Sequence, residues 1–284
     1  MSAVEVPVAS PARLAGAEGE TAHVFGDGLV GVLANPAPGA TRRDVAVILF
    51  NAGMVQRSGP HRGSVQLARA LAQRGFPVLR FDQSGLGDSP VPARAAADRR
   101  HAELRAAMDL LAGETGVRRF VVGGICSAAD NAFRLAAVEP RIHGLLMLDG
   151  LAYRTPGYWL RHLPPRVLNP RKLWRWWRQR GTQPDMADFR DWPARSDAVA
   201  QMADMAGRGV RMLFVYTGGA YRYFNHAGQF AACLGRGARG ANVSFAYWRD
   251  CDHTFYLQRD RLRLQALVGD WLERGFGDPG RPSG

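Results

Sequence analysis

Six short, largely apolar runs, separated by segments whose apolar residues recur at helical intervals, constrain the fold of this chain more than any other feature. The runs at 45–50, 77–81, 120–123, 145–148, 212–216 and 243–247 lack the alternation of a half-buried strand, as do strands covered on both faces. Between the first two, Val65, Leu67, Ala68, Leu71 and Ala72 mark a helix over 63–74. The same spacing predicts helices over 101–111 and 131–138, and an amphipathic helix over 262–272 closes the series. Strands alternating with helices imply an α/β chain with a mostly parallel sheet and helices on both faces. Ahead of it, 22–33 reads as an antiparallel hairpin turning at Gly26, Asp27 and Gly28. The 284 residues, 46% of them apolar, suffice for one sizeable core. A single domain is therefore expected over 19–280, behind a loose arm of residues 1–18 that lacks periodicity.

One interval breaks the rhythm. From Leu148 to Met212 the chain is far longer than one crossover helix requires, which predicts a helical lid inserted over about 152–209. Within it, residues 154–180 carry eight basic residues, no acidic ones, and four of the seven tryptophans: Trp159, Trp174, Trp176 and Trp177. Such a segment can stack sugars, rest on anionic lipid as a peripheral membrane contact, or clamp the lid to the body. The net charge of +12 is a weaker sign, because every basic residue except Lys172 is Arg. That skew fits codon bias, and no nucleic-acid partner is expected. Three cysteines are too few for a disulfide framework, no apolar run is long enough to span a membrane, and the first residues lack the order of an export signal. These features place the chain in the cytoplasm. They leave its oligomeric state open.

The residues equipped for chemistry lie where strands end. Gly124, Ile125, Cys126, Ser127 and Ala128 follow a strand and lead into a helix with the spacing small, any, nucleophile, any, small. The demand is steric: strand and helix approach closely around a strained turn, so residues two places either side of the nucleophile must be small. The turn lifts Cys126 to a helix N-terminus, where unpaired N–H groups lower a thiol's pKa and can receive an oxyanion. A buried structural cysteine is the alternative. Ser127 stands one residue out of that register and is assigned, with Met54, as an oxyanion donor through its backbone N–H. Met54 closes the Asn51, Ala52, Gly53 loop after the first parallel strand. His253, in the Asp252-His253-Thr254-Phe255 segment after the last strand, is the candidate base. Arg57, His61 and Arg62 flank the oxyanion loop and could hold a carboxylate or sugar hydroxyl, or anchor the loop instead. Cys251 and His253 have no second ligand cluster beside them, so neither a metal nor an organic cofactor is expected.

These motifs resemble the α/β-hydrolases. The elbow, the Asp-His-Thr-Phe segment and the run from Arg57-Ser58-Gly59-Pro60-His61-Arg62 through Leu79-Arg80-Phe81-Asp82 to Gly85-Leu86-Gly87-Asp88-Ser89 are most similar to hydrolases associated with exosortase and exopolysaccharide gene clusters. The likeness spans 45–271. It implies covalent acyl transfer from an ester or thioester, with Cys126 as nucleophile and His253 as base. The substrate expected is a small acyl compound, sugar-linked in the polysaccharide case, with water as acceptor or, for an acyltransferase in polysaccharide processing, a sugar; a non-catalytic, membrane-associated binding protein of the same fold is the remaining reading. The family's acid follows the strand before the histidine, yet Thr217-Gly218-Gly219-Ala220-Tyr221 contains none. Asp149, directly after the 145–148 run, is the best substitute. Asp82 and Asp88 are read as fixing their loop.

Overall fold

The computed structural model describes residues 14–15, 19–91, 99–162, 174, 178, 190 and 192–277. In chain order the strands are β1 (Leu14–Ala15), β2 (Glu20–Phe25), β3 (Leu29–Ala34), β4 (Val45–Leu49), β5 (Val78–Phe81), β6 (Arg119–Ile125), β7 (Ile142–Leu148), β8 (Arg211–Thr217) and β9 (Val243–Trp248). The helices are α1 (Gly63–Gln73), α2 (Arg99–Thr115), α3 (Ser127–Val138), α4 (Pro156–His162), α5 (Arg195–Gly207), α6 (Gln229–Leu234) and α7 (Gln258–Phe276). One sheet of nine strands has the order β1-β2-β3-β5-β4-β6-β7-β8-β9. The pairings from β5 through β9 are parallel, while β1, β2 and β3 form an antiparallel extension joined to β5.

The apolar runs divide their side chains between two cores, one on each face. Along β4, Ala46 and Ile48 point to the face covered by α2, α3, α5 and α6, while Val45, Val47 and Leu49 point to the face covered by α1 and α7. Leu145 and Met147 of β7 join the first core, and Leu146 and Leu148 the second. A strand covered on both sides has no solvent face, which is why these runs are continuously apolar. The hairpin forms with its turn at Gly26, Asp27 and Gly28, and β2 and β3 pair over their full lengths.

Two expectations shift. Residues 1–18 were expected to form a loose arm, yet Leu14 and Ala15 pair with Ala22 and Thr21 as a short edge strand; the rest of that arm lies outside the described residues. The expected lid of 152–209 is also too long at its C-terminal end. Helix α5 buries Ala198, Met202 and Met205 in the first core and is the crossover helix leading into β8. At the other end, α4 is tied down by Tyr158, 1% exposed, whose hydroxyl donates to the Arg222 carbonyl at 2.6 Å. Trp159 and Trp174 are exposed, the latter under the Arg178 guanidinium at 5.0 Å; Trp176 and Trp177 lie outside the described residues.

Candidate active site

All the candidate residues sit on loops leaving the carboxyl edge of the parallel strands, the edge at which open α/β sheets assemble their sites. Among the described residues five non-glycine residues have positive φ: His61, Arg62, Cys126, Asp149 and Phe255. They fall in loops after β4, β6, β7 and β9, so the backbone strain gathers on this one edge. Cys126, at φ 58° and ψ −125°, caps the N-terminus of α3. A Cβ on Gly124 would lie 2.5 Å from the Cβ of Ala128 and 3.2 Å from the Phe50 carbonyl oxygen. The close approach of β6 to α3 therefore forbids a larger residue there. The Cys126 N–H donates to the Leu148 carbonyl at 2.9 Å, and the Asp149 N–H to the Val215 carbonyl at 2.8 Å, locking three adjacent strand ends in register.

The structure brings Cys126, His253 and Asp149 together. The His253 side chain sits beside the Cys126 thiol and interacts with it electrostatically, and His253 Nδ1 lies 2.8 Å from Asp149 Oδ2. Asp149 is completely buried. Its carboxylate also accepts from the Thr217 N–H at Oδ1 and the Thr217 hydroxyl at Oδ2, both at 2.6 Å. Thus β8, the strand that lacks an acid, supplies the donors that orient the acid from β7. Its following glycines have a steric reason: a Cβ on Gly219 would come within 2.3 Å of the His253 backbone nitrogen, and one on Gly218 within 2.1 Å of the Arg249 carbonyl oxygen. The histidine loop packs where the side chain of an acid would have stood.

Electrostatics separate the three thiols. Burial acts to raise the Cys126 thiol, but the hydrogen bond with His253, the charges of Arg190 and His253, and the Ser127 N–H together bring it below its ordinary value. Burial pushes Cys251 up to about 12, with neighbouring aspartates adding to the shift, and burial also raises Cys233. Burial opposes a charged His253 ring, yet the hydrogen bonds with Asp149 and Cys126 lift its pKa to about 9. A lowered thiol facing a raised imidazole shifts the pair toward thiolate and imidazolium.

The remaining candidates differ in their surroundings. The Ser127 N–H helps lower the Cys126 thiol, while its hydroxyl accepts the Gly53 N–H at 2.8 Å, joining the two loops expected to hold an oxyanion. Met54 is 90% exposed. Arg57 is drawn into the loop itself: its N–H donates to Asp82 Oδ1 at 2.6 Å, and its guanidinium bridges Asp82 and Asp88. Asp82 also accepts the Asp88 N–H, and Gly87, at φ 52°, leaves room for its carboxylate. His61 Nε2 lies 3.3 Å from the Thr254 hydroxyl and its ring packs edge-on against Tyr256, so it braces the loop carrying His253. Arg62 is exposed at the start of α1.

Sequence reasoning missed Arg190. Its guanidinium binds both oxygens of Asp130 at 2.6 and 2.7 Å, and donates to the Tyr223 hydroxyl at 3.1 Å and the Asp149 carbonyl at 3.0 Å. A single arginine set among Asp185, Asp188 and Asp191, ten residues beyond the basic stretch, gives no signal of this; the helical position of Asp130, four residues after Cys126, gives only half of the pair.

Neither a known family's sequence profile nor a curated protein matches the chain. Solved structures do. An α/β serine hydrolase without lid from Xanthomonas campestris is 16% identical, with 98% of this chain and 99% of that one covered at a TM-score of 0.53. An esterase from Pyrococcus furiosus is 14% identical, with coverages of 94% and 91% and a TM-score of 0.57. The chain has the α/β-hydrolase fold. A dienelactone hydrolase from Anabaena variabilis is similar in the same way, at 16% identity, coverages of 94% and 99%, and a TM-score of 0.54. Among the described residues no helix is long and apolar enough to cross a membrane, and no three His, Cys, Asp or Glu side chains are grouped to hold a metal ion.

Proposed function

We propose that the protein hydrolyses an ester or thioester through a covalent intermediate on Cys126. The observation that carries this reading is Cys126 at a strained strand-to-helix turn beside His253, whose ring is hydrogen-bonded to the buried Asp149. Cys126 sulfur attacks the substrate carbonyl carbon, and the carbonyl oxygen becomes an oxyanion beside the N–H groups of Ser127 and Met54. Collapse expels the alcohol or thiol, which takes the proton held at His253 Nε2. His253 then accepts a proton from the incoming water, whose oxygen attacks the thioester carbon. The acid product leaves and Cys126 is regenerated. Asp149 holds the ring in the tautomer that aims Nε2 at sulfur and stabilises its positive charge.

The likeness to hydrolases of exopolysaccharide clusters makes acylated sugars the first natural substrates to try. The test uses a simple acyl ester, p-nitrophenyl acetate, followed by intact-protein mass spectrometry. Acid-quenched protein should carry one added acetyl group, mapped by peptide analysis to Cys126, and Cys126→Ala should carry none. Turnover by the Cys126→Ala variant at the native rate would remove the thiol from the reaction.

A further inference from the structure

Exposed apolar side chains gather on the loops that surround the elbow. Met54 follows β4, Trp159 and Leu160 lie on α4 after β7, Tyr221 follows β8, and Tyr256 and Leu257 follow β9; all six are exposed. On the amino edge of the sheet, among the described residues, Val138 alone is a large apolar side chain so exposed. Isolated exposed apolar residues are ordinary, but a gathering on one edge marks an interaction surface. Contacts join these loops into a rim. The His61 ring, on the loop after β4, packs against Tyr256 at 5.1 Å. Gly219, after β8, abuts the His253 backbone, and the Tyr158 hydroxyl of α4 donates to the Arg222 carbonyl.

The same rim is positive. Residues 50–62, 149–162 and 218–228 contain one acid, the buried Asp149. In 249–257, Asp252 accepts the N–H groups of Thr254 and Tyr256, and Asp250 lies 3.7 Å from Arg263. Arg62 and Arg249 are exposed and make no ion pair among the described residues. Apolar tips interspersed with cations match the boundary between the acyl chains and anionic headgroups of a lipid surface. A protein seated over this rim would close the route to Cys126, whereas a lipid surface can itself carry the ester. Sugars would stack on the aromatic rings but leave Met54, Leu160 and Leu257 without a role.

We propose that this rim docks on an anionic lipid surface, and that the ester reaching Cys126 is carried in that surface. The second half rests on the hydrolase reading, while the docking does not.

The test is flotation of the Cys126→Ala protein with vesicles of phosphatidylcholine alone or mixed equally with phosphatidylglycerol. Binding should be about tenfold or more tighter to the mixed vesicles and should weaken as salt is added. Leu160→Glu and Tyr221→Glu, on different loops, should each weaken it about tenfold, and Arg62→Gln by less. Arg42→Gln and Arg118→Gln, exposed on the amino edge, should leave it unchanged. Absence of flotation, binding that survives both glutamate variants, or loss confined to the amino-edge variants overturns the docking. So does a dimer in sedimentation velocity that Leu160→Glu dissociates, which would give the rim to a second copy of the chain. With the native thiol, p-nitrophenyl palmitate should turn over faster in mixed vesicles than in neutral ones. Leu160→Glu should lose that gain while hydrolysing p-nitrophenyl acetate at the native rate. Flotation without turnover of either ester keeps the docking and sinks the hydrolase reading; acetate turnover without flotation does the reverse.

Discussion

Two buried aspartates flank the elbow and behave differently. Asp149 and Asp130 are 0% and 4% exposed, and each carboxylate is held by strong hydrogen bonds. Asp149 faces His253, a partner that gains and loses protons and whose side chain is 27% exposed. Asp130 faces Arg190, whose guanidinium is permanently charged and 3% exposed. A buried carboxylate against a titratable ring can support proton transfer, whereas one against a guanidinium can only fix position. The second pair supports the first, because Arg190 and the Tyr223 hydroxyl both donate to the Asp149 carbonyl and hold that residue at φ 47°.

Substitutions can break this contrast. Cys126→Ala should lower kcat by about 10⁴-fold or more in steady-state assays while leaving the thermal midpoint close to wild type. Asp149→Asn should cost about 10³–10⁴-fold in kcat, because an amide in that place favours the wrong ring tautomer. Arg190→Met should act mainly on stability, removing about 3–5 kcal/mol in urea titrations by leaving Asp130 buried and unpaired, and should also move the acid limb of kcat/KM to higher pH because a charge that lowers the Cys126 thiol is lost. If Arg190→Met instead lowers kcat with stability unchanged, the division between the two aspartates is wrong. Thr217→Val removes one of the hydroxyl and amide donors on Asp149 and should destabilise the protein by about 1–3 kcal/mol.

The pH profile sharpens the same comparison. The reactive form needs Cys126 as thiolate and His253 protonated, so kcat/KM should rise as pH climbs through the lowered thiol value and fall near pH 9 as the ring loses its proton. Asp149→Asn should move the alkaline limb to lower pH, since the carboxylate that raises His253 is gone. Asp130→Asn should leave that limb in place. Equal displacement by both variants would show that the two carboxylates act on the ring alike.

Legibility followed the range of the forces involved. The elbow could be read at 124–128 because its demand for small residues acts between neighbours in sequence, and the Gly124–Ala128 approach is that demand. The helix after it was placed at 131–138 but begins at Ser127, since the strained turn and the first helical turn share the same residues. Helix α5 was absorbed into the expected lid because nothing in the sequence marks where an insertion ends and a crossover begins. The Thr217-Gly218-Gly219 segment stood out as a missing acid, while its actual work, donating to Asp149 and clearing space for His253, depends on β7, β8 and β9 lying side by side.

The sequence by itself determined the layered α/β architecture and the thiol at a tight turn, because burial on both faces and local crowding leave their mark on adjacent residues. Only the tertiary structure decided which carboxylate meets His253 and which one Arg190 neutralises. Those choices depend on strand order and register, which bring residues far apart in the chain to one sheet edge and leave no local pattern behind.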